Sequence, residues 1–268
     1  MSGGDLGNQF GGHFFNLLDA KNYQGLSQLF RQNSIVSFEG NNVQGMQKII
    51  GLFQAFNKKY PKTKHQCTAD TLPTPDGSNL VFLTGKRLDH QHSRIDTAVL
   101  ISATVVLKKT DGKFWISNLI YRGEASGQNI PSNDMKVGAQ FVGQFYKIYD
   151  SDHKKLGGIY TPKTVMKYET DKLQGAQMIM CKLTKGASDH IETQKRTKLG
   201  FRSVTFNSVK HEVKTLDIHP GAGGLLIQTS GFLAADGSTQ GVKFGECFVL
   251  MKGQSGWKVL CQVFRQIY

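Results

Sequence analysis

The chain has 268 residues, 39% apolar and 10% aromatic with 17 Phe, enough for one large or two ordinary globular domains. That content excludes disordered and collagenous classes. Thirty-three Lys and Arg against 20 Asp and Glu leave a formal charge of +13, which points to a nucleic acid, a membrane surface, an acidic protein partner or a compartment that tolerates basic proteins.

An aromatic-striped helix opens the chain, with Phe10, Phe14, Leu17 and Leu18 at i, i+4, i+7 and i+8. A short helix is expected over 25–30, then an extended pair around Glu39 and a further helix over 45–56. Long strands follow over 79–87, 98–109 and 114–121, with turns at Pro73-Thr-Pro-Asp-Gly77 and Thr110-Asp-Gly112. Residues 124–135, rich in Ser, Gly and Asn around Pro131, read as a linker.

After the linker the same grammar returns. The run from Gln9-Phe10 to Asp19 recurs from Gln140-Phe141 to Asp150, and Leu26 and Phe30 match Leu156 and Tyr160. Phe38-Glu39-x3-Val43-Gln44-Gly45 recurs as Tyr168-Glu169-x3-Leu173-Gln174-Gly175, and Phe114 through Arg122 parallels Trp257 through Arg265. Phe141, Phe145, Ile148 and Tyr149 repeat the helical stripe; a short helix over 156–160, a helix over 175–185 and strands over 224–234, 241–251 and 257–267 complete the second set. The offset is 131 at the opening helix and 143 at the closing strand, so the second copy carries about a dozen inserted residues, mostly between Gly175 and Leu216. A period near 130 is a whole-domain duplication. It gives a first domain over 1–123, a linker over 124–135 and a second domain over 136–268. Helices first and antiparallel strands later is an α+β order.

Other signals are plain. The first eight residues lack the charged and apolar regions of a secretory signal, no Arg precedes Arg31 as an Arg-rich transit peptide would need, and the longest apolar stretch, Ala98 to Leu107, is too short for a membrane span. Cys67, Cys181, Cys247 and Cys261 form no C-x-x-C pair and no zinc-like spacing, so they read as reduced thiols and no cofactor or metal is expected. An intracellular setting is expected, with mitochondrial and nuclear or cytoplasmic sites both open.

Taken together, Phe-x3-Phe/Tyr-Phe/Tyr-x3-Asp, Phe/Tyr-Glu-x3-apolar-Gln-Gly, Thr68-Ala-Asp-x2-Pro73-Thr-Pro-Asp76 and a closing Phe/Tyr-Arg resemble the nuclear transport factor 2 family. The likeness covers about 115 residues of the first copy and both ends of the second. It implies cone-shaped α+β domains, each a bent antiparallel sheet wrapped around helices. Members dimerise through the sheet, so two tethered copies imply an intramolecular pseudo-dimer.

The resemblance also implies a partner site. Transport members bind the GDP form of the GTPase Ran: a hydrophobic cavity rimmed by acidic residues accepts a Ran aromatic, and the carboxylates pair with Ran's basic side chains. Here the acidic positions fall on Glu39 and Asp89 in the first copy and on Glu169 and Asp236 in the second, with one carboxylate of the later pair missing from each. The Trp with which transport members hold nucleoporin FxFG repeats aligns near Gly3 and Asp134, neither aromatic. Transport members are acidic, whereas residues 1–133 carry +5 and residues 134–268 carry +8, and positive potential works against capturing basic loops. Without that partner, Glu39 and Glu169 read as strand-end residues bonded to turn backbone.

Enzymes of the wider superfamily place Asp or His inside the cone for proton transfer. His13 lies near the helix stripe, but its counterpart is Gln144 and no Tyr–Asp pair recurs, so no catalytic set is expected. His90 and His92 lack a third metal ligand and read as solvated. Two basic patches remain: Lys58, Lys59, Lys62 and Lys64, leaving a helix into a loop, and Lys195, Arg196, Lys198 and Arg202 in the insertion. With Tyr60 or Phe201 nearby they could grip phosphates. No nucleic-acid-binding motif accompanies them, so a solvated face or an acidic protein partner is expected instead. Gly221-Ala-Gly-Gly224 reads as a turn, not a phosphate loop. The expectation is a non-enzymatic protein-interaction scaffold, an accessory subunit whose partners are other proteins of a larger assembly, with a mitochondrial assembly left open. The alternative is a nucleocytoplasmic transport factor for Ran-GDP and nucleoporins, or an mRNA export adaptor.

Overall fold

Phe10, Phe14 and Leu18 recur at every fourth position of α1 (Gly3–Asp19) and bury one face of that helix. Phe15, outside the expected stripe, is buried with them, whereas Leu17 is only partly covered. Phe14 meets Phe15 and Phe53 edge to face, at ring separations of 5.2 and 6.0 Å, and Phe53 comes from α3 (Met46–Lys59). The structure, a computed structural model, describes residues 3–74, 76–89, 97–123, 127–129, 133–184, 208–235, 238, 241–254 and 256–268.

In the first copy α2 (Tyr23–Gln28) leads into β1 (Phe30–Phe38) and β2 (Asn41–Gln44); after α3 come β3 (Thr63–Pro73), β4 (Asn79–Asp89), β5 (Thr97–Thr110) and β6 (Lys113–Arg122). These strands form one sheet in the order β2-β1-β6-β5-β4-β3, antiparallel except for β1 beside β6. The second copy repeats the plan with α4 (Asn133–Asp152), a 3-10 helix (His153–Ile159), β8 (Tyr160–Tyr168), β9 (Asp171–Gln174), α5 (Ala176–Leu183), β10 (Val209–Gly221), β11 (Gly224–Ala235), β12 (Val242–Gly253) and β13 (Gly256–Gln266). Its sheet runs β7-β10-β11-β12-β13-β8-β9, where β7 (Gly127–Asn129) is an extra edge strand. Gly85 in β4 and Gly231 in β11 hold matching places: a Cβ on either would lie 2.0 Å from a carbonyl oxygen of the adjacent strand, that of Gln66 or Glu212. Only glycine allows so close an approach.

The central strands of each sheet are buried on both faces, which explains why the stretch 98–107 is apolar apart from Ser102 and Thr104. Ile101, Ala103, Val105 and Leu107 face the helices of the first cone, while Val106 faces the other copy. Between the copies, Leu80, Phe82, Val106 and Ile120 pack on Leu226, Cys247, Val249 and Val263. Two bidentate clasps, in matching registers, cross this interface. Arg122 donates to Asp217 at 2.7 and 2.9 Å, and Arg265 donates to Asp70 at 2.5 and 2.8 Å. Ser37 adds a hydrogen bond to Asp217 at 2.7 Å, and Lys167 joins Asp70. The chain is therefore an intramolecular pseudo-dimer with an approximate two-fold axis between its sheets.

Local differences from the sequence expectation have local causes. Residues 127–129, expected within the linker, pair as β7 in parallel with Thr215, Leu216 and Asp217 of β10. A three-residue backbone ladder leaves no side-chain pattern to read. Lys64 lies on β3 and not in a loop, and α3 runs on to Lys59. Strand β10, the counterpart of β3, covers 209–221, a stretch in which no strand was expected. The Gly221–Gly224 stretch is the β10–β11 hairpin turn, with Ala222 and Gly223 at φ 55° and 80°.

Candidate partner-binding site

Glu39 and Gly40 form the two-residue turn between β1 and β2, both left-handed at φ 47° and 83°, as a primed hairpin turn requires. Glutamate is uncommon there. Its carboxylate supplies the compensation, because Glu39 Oε2 accepts from the Gly123 amide at 3.1 Å, just past the end of β6. The second copy repeats the device: Glu169 sits at φ 52° and its Oε1 accepts from the Gln266 amide at 2.7 Å. Both glutamates are anchored to backbone at a strand end.

Beside Glu39 opens a cavity of about 360 Å³, walled by Phe38, Leu52, Ala55, Phe56 and Tyr60 and lined also by Glu39, Asn41 and Lys59. Arg87, fully buried, lies against the same aromatics, its guanidinium carbon 5.2 Å from the Phe56 ring centre and 4.4 Å from that of Tyr60. It donates to Asp89 through Nε and Nη2 at 2.7 and 2.8 Å, and Nη1 lies 3.4 Å from both Glu39 Oε1 and the Tyr121 hydroxyl. Burial alone would favour the neutral guanidinium, but the Asp89 hydrogen bonds outweigh it and hold the charge. Glu39 and Asp89, the acids expected to meet a partner's cation in this copy, thus hold a cation of their own chain.

The second copy reaches the same end by another route. Lys182 occupies on α5 the place of Leu52, and its Nζ donates to Asp171 at 2.7 Å while lying 5.5 Å from the Tyr168 ring centre. Tyr168 is the counterpart of Phe38. Arg265 Nη1 comes within 3.6 Å of Glu169. Burial raises the Glu169 carboxyl above the usual range, against the opposing pull of the Gln266 amide and Arg265. Asp236 lies outside the described residues.

Of the basic patches, Lys58 and Lys59 are exposed in the last turn of α3, where cations complement the helix dipole. Lys59 Nζ lies 4.9 Å from the Tyr60 ring centre. Lys62 and Lys64 are exposed on the way into and along β3. Lys195, Arg196, Lys198 and Arg202 lie outside the described residues, as do His90 and His92. His13 is exposed and does not enter the cone.

The structure adds groups that were not singled out in the sequence. Asp19, the last residue of α1, accepts from the His65 amide and the Thr63 hydroxyl, each at 2.8 Å, and lies 2.6 Å from His65 Nδ1; His65 Nε2 is 3.0 Å from the Tyr121 hydroxyl. Asp150 and His211 repeat the clamp at 2.9 and 2.5 Å. Both aspartates stood in the repeated motif, but their histidines lie 46 and 61 residues further on, with no local signature. Arg87 and Asp89 could have been paired, since residues two apart on a strand share a face. Inside the second cone Glu246 is buried and accepts from the Tyr146 hydroxyl and the Gln262 amide, both at 2.6 Å. Tyr160 donates to Gln262 at 2.9 Å, and the Tyr146 hydroxyl lies 2.9 Å from that of Thr229. Burial pushes the Glu246 carboxyl up to about 7, opposed by the hydrogen bonds from Tyr146 and Gln262.

The nuclear transport factor 2 (NTF2) domain family matches residues 6–123 and again 137–266. Nuclear transport factor 2 of Neurospora crassa is 31% identical over 133 residues, which are 49% of this chain and 93% of that protein. Nuclear transport factor 2B of Arabidopsis thaliana is 30% identical over 135 residues, again 49% and 93%. Among solved structures, nuclear transport factor 2 from Cryptosporidium parvum is 25% identical with a TM-score of 0.40, over 52% of this chain and 99% of that one. Two family matches that together span most of the sequence permit one conclusion: the chain belongs to the nuclear transport factor 2 domain family and carries the domain twice.

Proposed function

We propose that the chain is a non-enzymatic protein-interaction scaffold, an accessory subunit of a larger assembly. Membership of the family and relatives that are transport factors support a protein-interaction role. The observation that carries the proposal is the internal cation at each acidic rim, Arg87 against Glu39 and Asp89, and Lys182 against Asp171. A basic partner would have to displace a buried, bidentate guanidinium before meeting Asp89, and breaking such a pair costs about 3–5 kcal/mol. The names of the relatives favour a nuclear and cytoplasmic setting over a mitochondrial one. Among the described residues no helix is long and apolar enough to cross a membrane.

Native gels of a cell lysate test the scaffold reading. The chain is expected to co-migrate with a large complex; migration as a free monomer sinks the proposal. The transport reading is favoured by the Glu39-lined cavity and has its own test, mixing the purified chain with Ran-GDP and with FxFG peptide. No micromolar binding is expected. Micromolar Ran-GDP binding that Glu39→Lys or Glu169→Lys abolishes would replace the scaffold by a transport factor.

A further inference from the structure

We infer that the two sheet faces are built for mixed pairing: the first copy's face fits the second copy's face and rejects another face of its own kind. Phe82, Ser102 and Asn118 decide this on one side, and Gln228, Gly245 and Gly221 on the other. The inference goes beyond the scaffold reading and does not depend on it.

Ser102 and Gly245 are counterparts, since each pairs with the clasping Arg of its own sheet, Arg122 or Arg265. They also touch each other, which places both on the pseudo-two-fold axis. A Cβ on Gly245 would stand 3.0 Å from Ser102 Cβ and 3.1 Å from Phe82 Cζ, inside the roughly 3.5–4.0 Å at which carbon atoms pack. Glycine here makes room for both. In the reciprocal contact Gln228, the counterpart of Phe82 beside the clasped Asp, lies over Ser102. Its amide donates to the Ser102 carbonyl and hydroxyl, each at 3.3 Å.

A second lock repeats the pattern. Asn118 donates to the Pro220 carbonyl at 3.0 Å while its Oδ1 accepts from the Ser117 hydroxyl at 2.9 Å, and a Cβ on Gly221 would fall 2.6 Å from that Oδ1. On the opposite side Cys261 holds the place of Asn118, its thiol 3.5 Å from the Pro73 carbonyl, and Thr74 holds the place of Gly221.

Pairing like with like breaks these fits. Two first-copy faces would set Ser102 against Ser102 on the axis, Phe82 against Ser102 twice and Asn118 against Thr74 twice, an overfilled interface. Two second-copy faces would set Gly245 against Gly245 and leave both Gln228 amides without a hydroxyl, an underfilled one. The clasps do not discriminate, because both copies supply the same Arg and Asp. A chain whose faces each paired with their own kind would link end to end into filaments, whereas mixed pairing lets the tether close the interface within one chain.

The test exchanges side chains within the full chain. Gln228→Phe with Gly245→Ser gives the second domain a first-copy face, and Phe82→Gln with Ser102→Gly gives the first domain a second-copy face. Each pair makes the two faces alike and is expected to lower the urea midpoint by about 0.5 M or more. All four substitutions together restore mixed pairing with the sides exchanged. Their midpoint is expected to rise above both pairs, to within about 0.2 M of the parent, whereas independent effects would add to a larger loss. A fourfold variant no higher than the better of the two pairs would overturn the inference, as would a Gln228→Phe, Gly245→Ser chain as stable as the parent. Should either pair fail to fold, the fourfold variant is compared with the parent directly, and failure to regain the parent's midpoint overturns the inference as well.

Discussion

Around one ring of equivalent positions the first copy places Phe15, Phe30, Leu83, Ala103 and Leu119, and the second places Tyr146, Tyr160, Thr229, Glu246 and Gln262. The first set packs as a hydrocarbon core with Phe15 stacked on His65 at 4.4 Å. The second is a closed hydrogen-bond network in which every hydroxyl, the amide and the carboxylate find partners within the cone. The same backbone plan thus accepts either chemistry, provided the polar version is fully paired. The difference lies in what each core responds to. Volume governs the first, whereas the second also answers to pH, because its centre is a carboxyl held near neutrality.

The largest expected effect is at the interface, where the two clasps are alike in geometry and unlike in burial. Arg122 and Asp217 are 2% and 1% exposed at their side chains, and Arg265 is 21% exposed. Arg122→Ala would strand Asp217 in the interior with Ser37 as its remaining described side-chain partner, at about 3–5 kcal/mol. Arg265→Ala leaves Asp70 with Lys167 and partial access to water, at about 1–2 kcal/mol. Urea unfolding of the two variants reads the gap. Equal losses would mean that the pseudo-symmetry extends to energetics and that burial does not separate the clasps.

Glu246 gives the next effect. Its carboxyl in the folded chain titrates near 7, above its ordinary value, so the folded state holds the proton more tightly. The stabilisation is complete below the ordinary carboxylate range, is lost as pH rises towards about 7, and is flat above that. Glu246→Gln keeps the network, since its amide can donate to Tyr146, whose hydroxyl then turns to Thr229. The variant should match the parent near pH 4.5 and exceed it at pH 8 by on the order of 2–3 kcal/mol. Urea midpoints at the two values decide it. A gap that does not widen with pH would place a charge-neutral role on Glu246 and dissolve the contrast with Ala103.

Much of this architecture was legible because the motifs that repeat are local. The helix stripe needs only every fourth residue, and Phe-Glu or Tyr-Glu before an apolar-Gln-Gly marks one hairpin and the helix after it. The correspondence of β6 with β13 followed from the closing aromatic–Arg pair. What escaped was long-range or sign-dependent. The substitution of Phe15 by Tyr146 reads as a conservative aromatic exchange until Glu246, 100 residues later, arrives opposite the hydroxyl. Lys182 looks like a surface residue of an amphipathic helix, and only the fold shows it turned over Tyr168. Glu39 and Glu169 were singled out in the sequence, but their left-handed backbone and their hold on the Gly123 and Gln266 amides follow from turn geometry that the motif does not spell out.

The smallest expected effect sits at the interface itself. Leu72 of β3 faces the second copy, and the matching position on β10 is His219, buried to 1% exposure with neither ring nitrogen bonded among the described residues. Burial lowers its pKa to about 4, against the pull of Asp217 two residues earlier. A depressed histidine contributes stability that is complete above its ordinary value and is lost as pH falls from there towards 4, the reverse of Glu246. His219→Leu makes the interface symmetric and removes two unpaired nitrogens, so a gain of about 1–2 kcal/mol is expected at pH 7, increasing as the pH is lowered to 5. Thermal unfolding at pH 7 and pH 5 measures both. A loss at pH 7 would mean that the imidazole fills a polar role between the copies, and then the interface, like the second cone, has exchanged an apolar contact for a polar one that works.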